Sequence, residues 1–308
     1  MSAVEIRNVT KRFGSLTAVN AVTLDVPTGS IFGFIGPNGS GKTTTIRMIM
    51  NILLPDQGEI LVFDRHSHSS VRDDVGYLPE ERGLYKRMTV RRVLRYYGQL
   101  KGRSLSDIDP LINKWLGRLQ LSDWAEKKVS ALSKGMSQKV QFISAIVSKP
   151  KLVILDEPFS GLDPVNRDAL RDAVLELRRD GTTIIFSTHD MTAAEELCDR
   201  ICMIFKGNKV LDGTLEEIQS KYGQDTVRVR TGGGMAALAG MPGIETAVDF
   251  GNFQDVRLSC DTQAFLGRLV AKTTVSHFEL MKPSLHDIFV RIAQPAPEDM
   301  KPPVGAAS

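Results

Sequence analysis

A glycine-rich segment followed by lysine and threonine is the first candidate for chemistry. It consists of Gly36, Pro37, Asn38, Gly39, Ser40, Gly41, Lys42, Thr43 and Thr44, and it fits the pattern GxxxxGK[ST]. Glycines let the backbone fold around a phosphate, so that N–H groups of the loop and of the following helix point at the anion. Lys42 would then reach the β- and γ-phosphates, and the Thr43 hydroxyl would bind Mg²⁺. The segment therefore predicts a site for a nucleoside triphosphate.

Two adjacent carboxylates follow a second apolar run. The run is Leu152–Leu155, and Asp156 and Glu157 come directly after it. Beside a phosphate loop, one acid can hold the Mg²⁺ shell and the other can orient and deprotonate an attacking water. We assign the first role to Asp156 and the second to Glu157. Read without the phosphate loop, the same two acids would be a solvated turn before Pro158.

The elements around these motifs must place them at one edge of a sheet. The apolar run Ile31–Ile35 predicts a buried strand before the loop. After the loop, an apolar helix face is predicted that ends before Pro55, and it comprises Ile46, Ile49, Met50, Leu53 and Leu54. This arrangement of strand, loop and helix is the context that the phosphate-binding motif requires.

Further patterns predict a mostly parallel sheet with helices on its faces. Predicted strands and helices are Val4–Val9, Val22–Val26 and 182–187 as strands, 89–121 as a helical segment, and a helix from Pro164 to Gly181. In the last of these, Asp163 is the expected N-cap, proline occupies the first helical position and glycine ends the helix.

The pattern changes near Tyr222, and the chain is predicted to have three parts. Residues 1–222 form the nucleotide-binding domain and residues 223–292 form a small α+β domain, whose last helix begins after Ser284. The remaining residues, 293–308, hold four of the fourteen prolines and are predicted to be a disordered tail.

Together, these motifs resemble the ATP-binding subunits of ABC transporters over roughly residues 1–220. Segment 132–138 reads LSKGMSQ where the family carries its signature, and the resemblance implies that Ser133 and Gly135 contact the γ-phosphate held by a second subunit. It also implies that Asp163 lies in the D-loop, that His189 is the switch histidine and that Phe13 stacks on adenine. The implied fold is α/β, a P-loop NTPase of ABC type. Its mainly parallel core would carry an antiparallel β subdomain and a helical subdomain, with a small C-terminal α+β domain appended.

The chain departs from the family pattern at two places. Lys134 and Met136 replace a glycine and a glutamine of the signature, whereas the serine and the glycine that make the backbone contacts are present. In the Q-loop, Glu80 stands where glutamine usually approaches Mg²⁺ and the attacking water. We therefore include Glu80 with Glu157 and His189 among the candidate catalytic residues, and its carboxylate can also face the metal.

The sequences of three segments are similar to those of an exporter-type branch of the family that includes sodium-efflux ATP-binding subunits. These segments are GYLPEERGLY, LSKGM and FSGLDPVN. The resemblance implies ATP and Mg²⁺ as cofactors, a homodimer with two composite sites, and polytopic membrane permease subunits as partners, with no nucleic acid. The alternatives are an ABC ATPase that acts on ribosomes or DNA, and a nucleotide-binding regulator without hydrolysis. The cargo, the direction of transport and the role of the C-terminal domain are not indicated by any motif.

Composition agrees with a peripheral subunit. The 308 residues are 42% hydrophobic and 24% charged, with a net charge of +3, which is too small to indicate a nucleic-acid surface. The longest charge-free stretch, 26–41, contains prolines and glycines and is shorter than the roughly 20 apolar residues of a membrane span. The three cysteines form no CxxC pair, and the charged N-terminal segment lacks a secretory signal pattern. The predicted location is the cytoplasm, on the inner face of the cell membrane.

Overall fold

The chain divides into two compact units. The computed structural model describes residues 1–66, 73–81, 83–222 and 225–293, and the first unit spans Met1–Thr214 while the second begins at Leu215. The predicted tail, apart from Ala293, lies outside the described residues. Among the described residues, no helix combines the length and the apolar character needed to cross a membrane.

Two sheets form the first unit. Its strands are β1 (Ser2–Phe13), β2 (Leu16–Pro27), β3 (Ile31–Ile35), β4 (Gln57–Val62), β5 (Arg65–His66), β6 (Val75–Leu78), β7 (Leu152–Asp156), β8 (Thr183–Thr188), β9 (Arg200–Phe205) and β10 (Asn208–Gly213). The central sheet has six strands in the order β10-β9-β3-β8-β7-β6, and the second sheet has four in the order β2-β1-β4-β5. The prediction of a mainly parallel core with an antiparallel β subdomain is confirmed.

The central strands are parallel, and they are covered by helices on one face and by the second sheet with one helix on the other. Strands β9, β3, β8, β7 and β6 run in the same direction, while the edge strand β10 is antiparallel to β9. Every residue of β3, β7 and β8 is buried. Burial on both faces explains why these strands are continuous apolar runs, whereas β2 alternates between buried and exposed residues. The first-unit helices are α1 (Lys42–Ile49), α2 (Val90–Leu100), α3 (Leu105–Arg118), α4 (Lys134–Ile146), α5 (Pro164–Arg179) and α6 (Met191–Leu197).

Helix α1 is shorter than its apolar pattern predicted. It ends at Ile49, because Asn51 adopts a left-handed conformation with φ 53°. The backbone N–H groups of Ile52 and Leu53 both donate to the carbonyl of Arg47 at 2.8 and 3.1 Å, which closes the helix end. The prediction that Leu53 and Leu54 extend the buried helix face was therefore wrong, and Leu54 is 69% exposed.

Segment 89–121 forms two helices rather than one continuous element. Helix α2 ends before Gly102, which holds a positive φ of 71°, and α3 begins after Ser104. The Ser104 hydroxyl accepts the N–H of Asp107 at 3.2 Å and caps α3. Helix α5 begins and ends as predicted: Asp163 accepts the N–H of Asn166 at 3.0 Å, and Gly181 has φ 87°.

The second unit is a four-stranded antiparallel sheet with helices. Its elements are α7 (Leu215–Lys221), β11 (Thr226–Thr231), α8 (Gly234–Leu238), β12 (Ile244–Asp249), β13 (Gln254–Leu258), α9 (Thr262–Lys272), β14 (Val275–Met281) and α10 (Leu285–Ala293), and the sheet order is β12-β13-β11-β14. Its core includes Val227, Val256, Phe265 and Leu269. The Ser284 hydroxyl accepts the N–H of Asp287 at 3.1 Å, as predicted for the start of α10.

The glycines of the phosphate-binding segment generate a testable difference in stability. A Cβ on Gly41, whose φ is 110°, would lie 2.3 Å from the carbonyl oxygen of Ala18, whereas a Cβ on Gly39 would meet no atom within 4 Å. We expect Gly39→Ala to lower the free energy of unfolding by about 1 kcal/mol, because of its positive φ alone. Gly41→Ala should cost clearly more, because the backbone of Ala18 must move. Urea unfolding of the two variants tests this, and equal losses would contradict the proposed contact.

Candidate functional site

Four chemically distinct segments meet at the carboxyl edge of the central sheet. Strand β3 leads into the glycine-rich loop, β7 ends at Asp156, β8 leads to His189 and β6 leads to Glu80. Because β3, β8, β7 and β6 are consecutive parallel neighbours, their carboxyl ends lie at the same edge. A cavity of about 690 Å³ lies there, and the predicted residues on its wall are Phe13, Asn38, Gly39, Gly41, Lys42, Thr43, Thr44, Glu80, Asp156 and Glu157.

Lys42 folds back over its own loop. Its Nζ donates to the carbonyl oxygens of Gly36 and Pro37 at 2.7 and 3.1 Å, and the residue is only 6% exposed. Burial lowers the pKa of Lys42, while the carboxylates of Glu157, Asp156 and Glu80 oppose that change. The cavity therefore contains a desolvated cation that faces several acids.

The loop itself is held by backbone hydrogen bonds. The Ser40 N–H donates to the carbonyl of Pro37 at 3.2 Å, and the Gly207 N–H donates to the Ser40 carbonyl at 3.0 Å. The Ser40 hydroxyl is buried and has no hydrogen-bond partner within the described chain. Gly36, Pro37 and Ser40 thus support the loop, whereas Asn38, Gly39 and the residues from Gly41 to Thr44 face the cavity.

Asp156 and Thr43 form the second pair of the site. The Thr43 hydroxyl donates to Oδ2 of Asp156 at 3.2 Å, which joins the start of α1 to the end of β7. Oδ1 of Asp156 is buried, and none of the described residues provides it with a hydrogen bond. Burial raises the pKa of Asp156, and the neighbouring hydroxyls of Ser187 and Thr43 oppose this effect. A buried carboxylate with an unused oxygen favours an additional electropositive partner.

Glu157 is oriented by the segment that follows β8. Its Oε1 accepts the backbone N–H of His189 at 2.9 Å and lies 2.7 Å from the ring Nδ1, while Oε2 accepts the Thr188 hydroxyl at 3.2 Å. An ionised carboxylate can only accept, so this arrangement assigns the ring proton to Nδ1. The backbone of Glu157 holds a left-handed φ of 49°, a strained conformation of the kind that is concentrated at functional sites.

Sequence reasoning missed one wall of the cavity. The additional lining residues are Leu16, Thr17, Ala18, Lys206 and Gly207. The first three belong to the hairpin that follows Phe13, and the last two form the turn between β9 and β10. These two segments touch through the N–H of Asn20, which donates to the carbonyl of Gly207 at 2.9 Å. Lys206 and Gly207 can be recognised in the sequence as a turn. Their position beside the phosphate-binding loop, however, depends on the hydrogen bond between Asn20 and Gly207, which are far apart in the sequence.

Ser133, Gly135 and Asp163 are not among the residues that line this cavity. The Ser133 hydroxyl caps α4 by accepting the N–H of Met136 at 3.2 Å. A Cβ on Gly135 would lie 3.0 Å from the side-chain nitrogen of Asn166, and Asn166 is also hydrogen-bonded to Asp163. The start of α4 and the start of α5 therefore form a second cluster, separate from the cavity of the same chain.

The chain matches family models in both of its parts. Residues 19–160 match the model described as ABC transporter, and residues 213–293 match the C-terminal domain of proteins like the ATP-binding protein DrrA1-3. A model of an AAA domain, described as a putative AbiEii toxin of a type IV toxin–antitoxin system, matches residues 128–195.

Relatives match over most of the chain. The uncharacterized ABC transporter ATP-binding protein YhaQ of Bacillus subtilis is 42% identical, over 92% of this chain and 96% of its own length. The Nod factor export ATP-binding protein I of Burkholderia lata is 36% identical, over 74% of this chain and 77% of its own. A solved ATP-binding subunit of an ABC transporter superposes with a TM-score of 0.68 at 30% identity, covering 72% of this chain and 94% of that structure.

The site geometry and these similarities lead to the same assignment. ABC transporter subunits of this kind bind ATP, act with membrane permeases and hydrolyse the nucleotide. The chain belongs to the ABC transporter family, as an ATP-binding subunit with ATPase activity.

Proposed function

We propose that this subunit powers export of a small amphipathic or ionic cargo through a separately encoded permease. The observation that carries the proposal is the cavity in which Lys42, Asp156 and Glu157 converge, together with the separation of Ser133 and Gly135 from it. The similarity to a Nod factor export protein supports the direction of transport. The same proposal places the subunit in the cytoplasm, on the inner face of the cell membrane, with no nucleic-acid partner.

The described residues fit ATP and Mg²⁺. The N–H groups of the loop and of the start of α1, with Lys42, suit a chain of phosphates, and the exposed ring of Phe13 suits the adenine. Thr43 and Asp156 would hold Mg²⁺, because oxygen donors are its preferred ligands and Oδ1 of Asp156 is free to bind. The described residues contain no cluster of three metal-ligating side chains, but phosphates usually supply several ligands of Mg²⁺. Bound Mg²⁺ supplies charge neutralisation for the departing phosphate.

Glu157 is proposed as the general base. Its side chain is buried and lies on the wall of the cavity, while its two oxygens are oriented by Thr188 and His189. The carboxylate can therefore accept a proton from a water in a fixed direction. His189 is half exposed at its side chain and donates through Nδ1, so its Nε2 can donate to the γ-phosphate when the ring carries both protons.

Two copies are proposed to complete each site. Ser133 and Gly135 lie at the start of α4, outside the cavity, and Asp163 lies at the start of α5 beside them. In a head-to-tail homodimer, these residues of one copy would face the phosphates held by the other copy. ATP would then favour the closed dimer through contacts that exist only when both copies meet.

The segment after β6 is proposed to meet the permease. Glu80 is exposed and lines the nucleotide cavity, and Tyr85 and Lys86 follow it along the chain. Tyr85 packs edge-on against Tyr96, with ring centroids 5.4 Å apart, which joins this segment to α2. Arg82, which lies between Glu80 and Tyr85 in the sequence, is outside the described residues. A segment that touches both the cavity and the helical subdomain can transmit nucleotide occupancy to a partner.

Glu157→Gln tests the general base. The amide keeps the size of the side chain but cannot accept the proton, so we expect ATP binding to persist while turnover falls by at least about 100-fold. Binding is measured with a fluorescent ATP analogue and turnover by phosphate release, and Lys42→Ala serves as the comparison that loses binding itself. Turnover at the parent rate would disprove the assigned role.

Mixing two inactive variants tests the composite site. Lys42→Ala disrupts the nucleotide cavity and Ser133→Arg disrupts the signature cluster, so each homodimer is expected to be inactive. In a mixed dimer, the cavity of the Ser133→Arg copy meets the signature of the Lys42→Ala copy, and this one of the two sites is intact. Because about half of the dimers in an equimolar mixture are mixed, up to about a quarter of the parent sites should be recovered. Mixing Lys42→Ala with Lys42→Ala,Ser133→Arg is the control. If the first mixture recovers no ATPase activity, the two-copy site is wrong.

Glu80→Gln tests the link to a membrane partner. The substitution removes one of the carboxylates that face Lys42 but preserves hydrogen bonding, so ATP affinity should change little. ATPase activity of the complex isolated from membranes should change more than activity of the isolated subunit. Unchanged activity in both forms would exclude a role for Glu80.

Recovery of the tagged chain with ribosomes or DNA, instead of a polytopic membrane protein, would contradict the transport proposal.

A further inference from the structure

A second cavity lies at the opposite edge of the central sheet, where β7 and β8 begin. Its volume is about 730 Å³, close to that of the nucleotide cavity. It is bounded by α3, by the ends of α4 and α5, and by the turn after β4. None of the residues assigned above to ATP, to the signature or to the permease segment lines it. This cavity has therefore no role in the proposed function.

The floor of this second cavity is apolar and aromatic. Leu111 and Trp115 come from α3, Ile146 from the end of α4 and Leu177 from the end of α5. Trp115 is 4% exposed and packs edge-on against Phe142, with ring centroids 6.2 Å apart, so its position is fixed. Phe63 adds a second ring to the wall. The ammonium groups of Lys114 and Lys151 lie 5.0 and 6.0 Å from the ring centroids of Trp115 and Phe63. A flat hydrophobic group that enters this cavity therefore packs beside cations.

Three lysines form the rim. Lys114 is paired with Glu176 at 2.8 Å, and Lys151 is paired with Asp74 at 3.4 Å. Lys149 is exposed and makes no ion pair with any of the described residues. The one acid on the rim is Asp180, whose carboxylate lies 4.0 Å from Lys114. Lys149 is therefore the rim lysine that has no ion-pair partner among the described residues, and it lies next to an aromatic floor.

The backbone conformation of Lys149 makes this lysine easy to replace. Lys149 holds a left-handed φ of 53° after the end of α4, and its N–H donates to the carbonyl of Ile146 at 2.9 Å. Glycine is the favoured residue at such a position, so removing the side chain should not cost folding stability.

We propose that this cavity binds an amphipathic organic anion. The flat apolar part of the ligand lies on Trp115 and Phe63, and its carboxylate, sulfonate or phosphate group pairs with Lys149, with Lys151 as the second cation. The inference does not depend on the ATPase or transport roles proposed above. Lys151 and Thr182 line this cavity and directly precede β7 and β8, which end at Asp156 and Thr188, so a ligand here lies beside the starts of the strands that carry the catalytic segment.

Energy transfer from a single tryptophan tests the proposal. The chain has two tryptophans, and Trp124→Phe leaves Trp115, in the cavity floor, as the only donor. The probe is 1-anilinonaphthalene-8-sulfonate, titrated in the presence of excess ATP and EDTA so that the nucleotide cavity is filled without hydrolysis. We expect saturable energy transfer from Trp115 to the probe.

Three comparisons make the result specific. Lys149→Gly, in the single-tryptophan background, removes the cation at a position that favours glycine, so folding stability should not fall while probe affinity falls about tenfold. Lys127→Gln changes an exposed lysine outside the cavity and should leave affinity unchanged. N-phenyl-1-naphthylamine, which lacks the sulfonate, should bind more weakly and be insensitive to Lys149→Gly.

The proposal is overturned by any of three outcomes. These are the absence of saturable energy transfer, a probe affinity that is lower in excess ATP than without nucleotide, and equal affinity of the parent and Lys149→Gly proteins for the probe. Competition by ATP would place the probe in the nucleotide cavity. Urea unfolding of each variant verifies that a loss of binding is not a loss of fold.

Discussion

Parallel pairing of β3, β8, β7 and β6 is the constraint on which the site depends. Parallel strands place all their carboxyl ends at one edge, and the segments that leave this edge bring a phosphate loop, two acids and a histidine together. The pairing requires crossover connections, and the helices lie within these connections. Helices α2 to α6 bury one face of the sheet, and the second sheet together with α1 buries the other. The apolar strands thus support a polar site at their carboxyl ends, because their faces are buried in the core.

Electrostatics explains the state of the site. Lys42 and Asp156 are both nearly excluded from water, and desolvation disfavours the charged form of each. The lysine satisfies its donors on two carbonyls of its own loop, while Asp156 uses one oxygen on Thr43 and leaves the other unused. A triphosphate with a divalent cation offers opposite charges to both groups, so the arrangement is suited to bind the two together.

The proposed division of the site between two copies rests on the positions of two helix starts. Ser133 and Asp163 each use a side chain to cap a helix, and both helix starts lie outside the cavity. Ser133 and Asp163 are both exposed, which is understandable if a second copy covers them. In the proposed homodimer, a partner would act on the approach of the two copies, and the chemistry within each cavity would need no rearrangement of the sheet.

Local signals determined much of this protein from the sequence alone. The loop pattern, the acids after an apolar run, and the Asp163-Pro164 helix start are all encoded within a few neighbouring residues, and their elements were predicted correctly. The end of α1 was not, because Asn51 stops a helix whose apolar pattern continues. Tertiary structure alone placed Lys206 beside the phosphate loop and Lys149 beside Trp115. These neighbours are distant in sequence and meet only through sheet pairing and helix packing, for which short-range pattern carries no information.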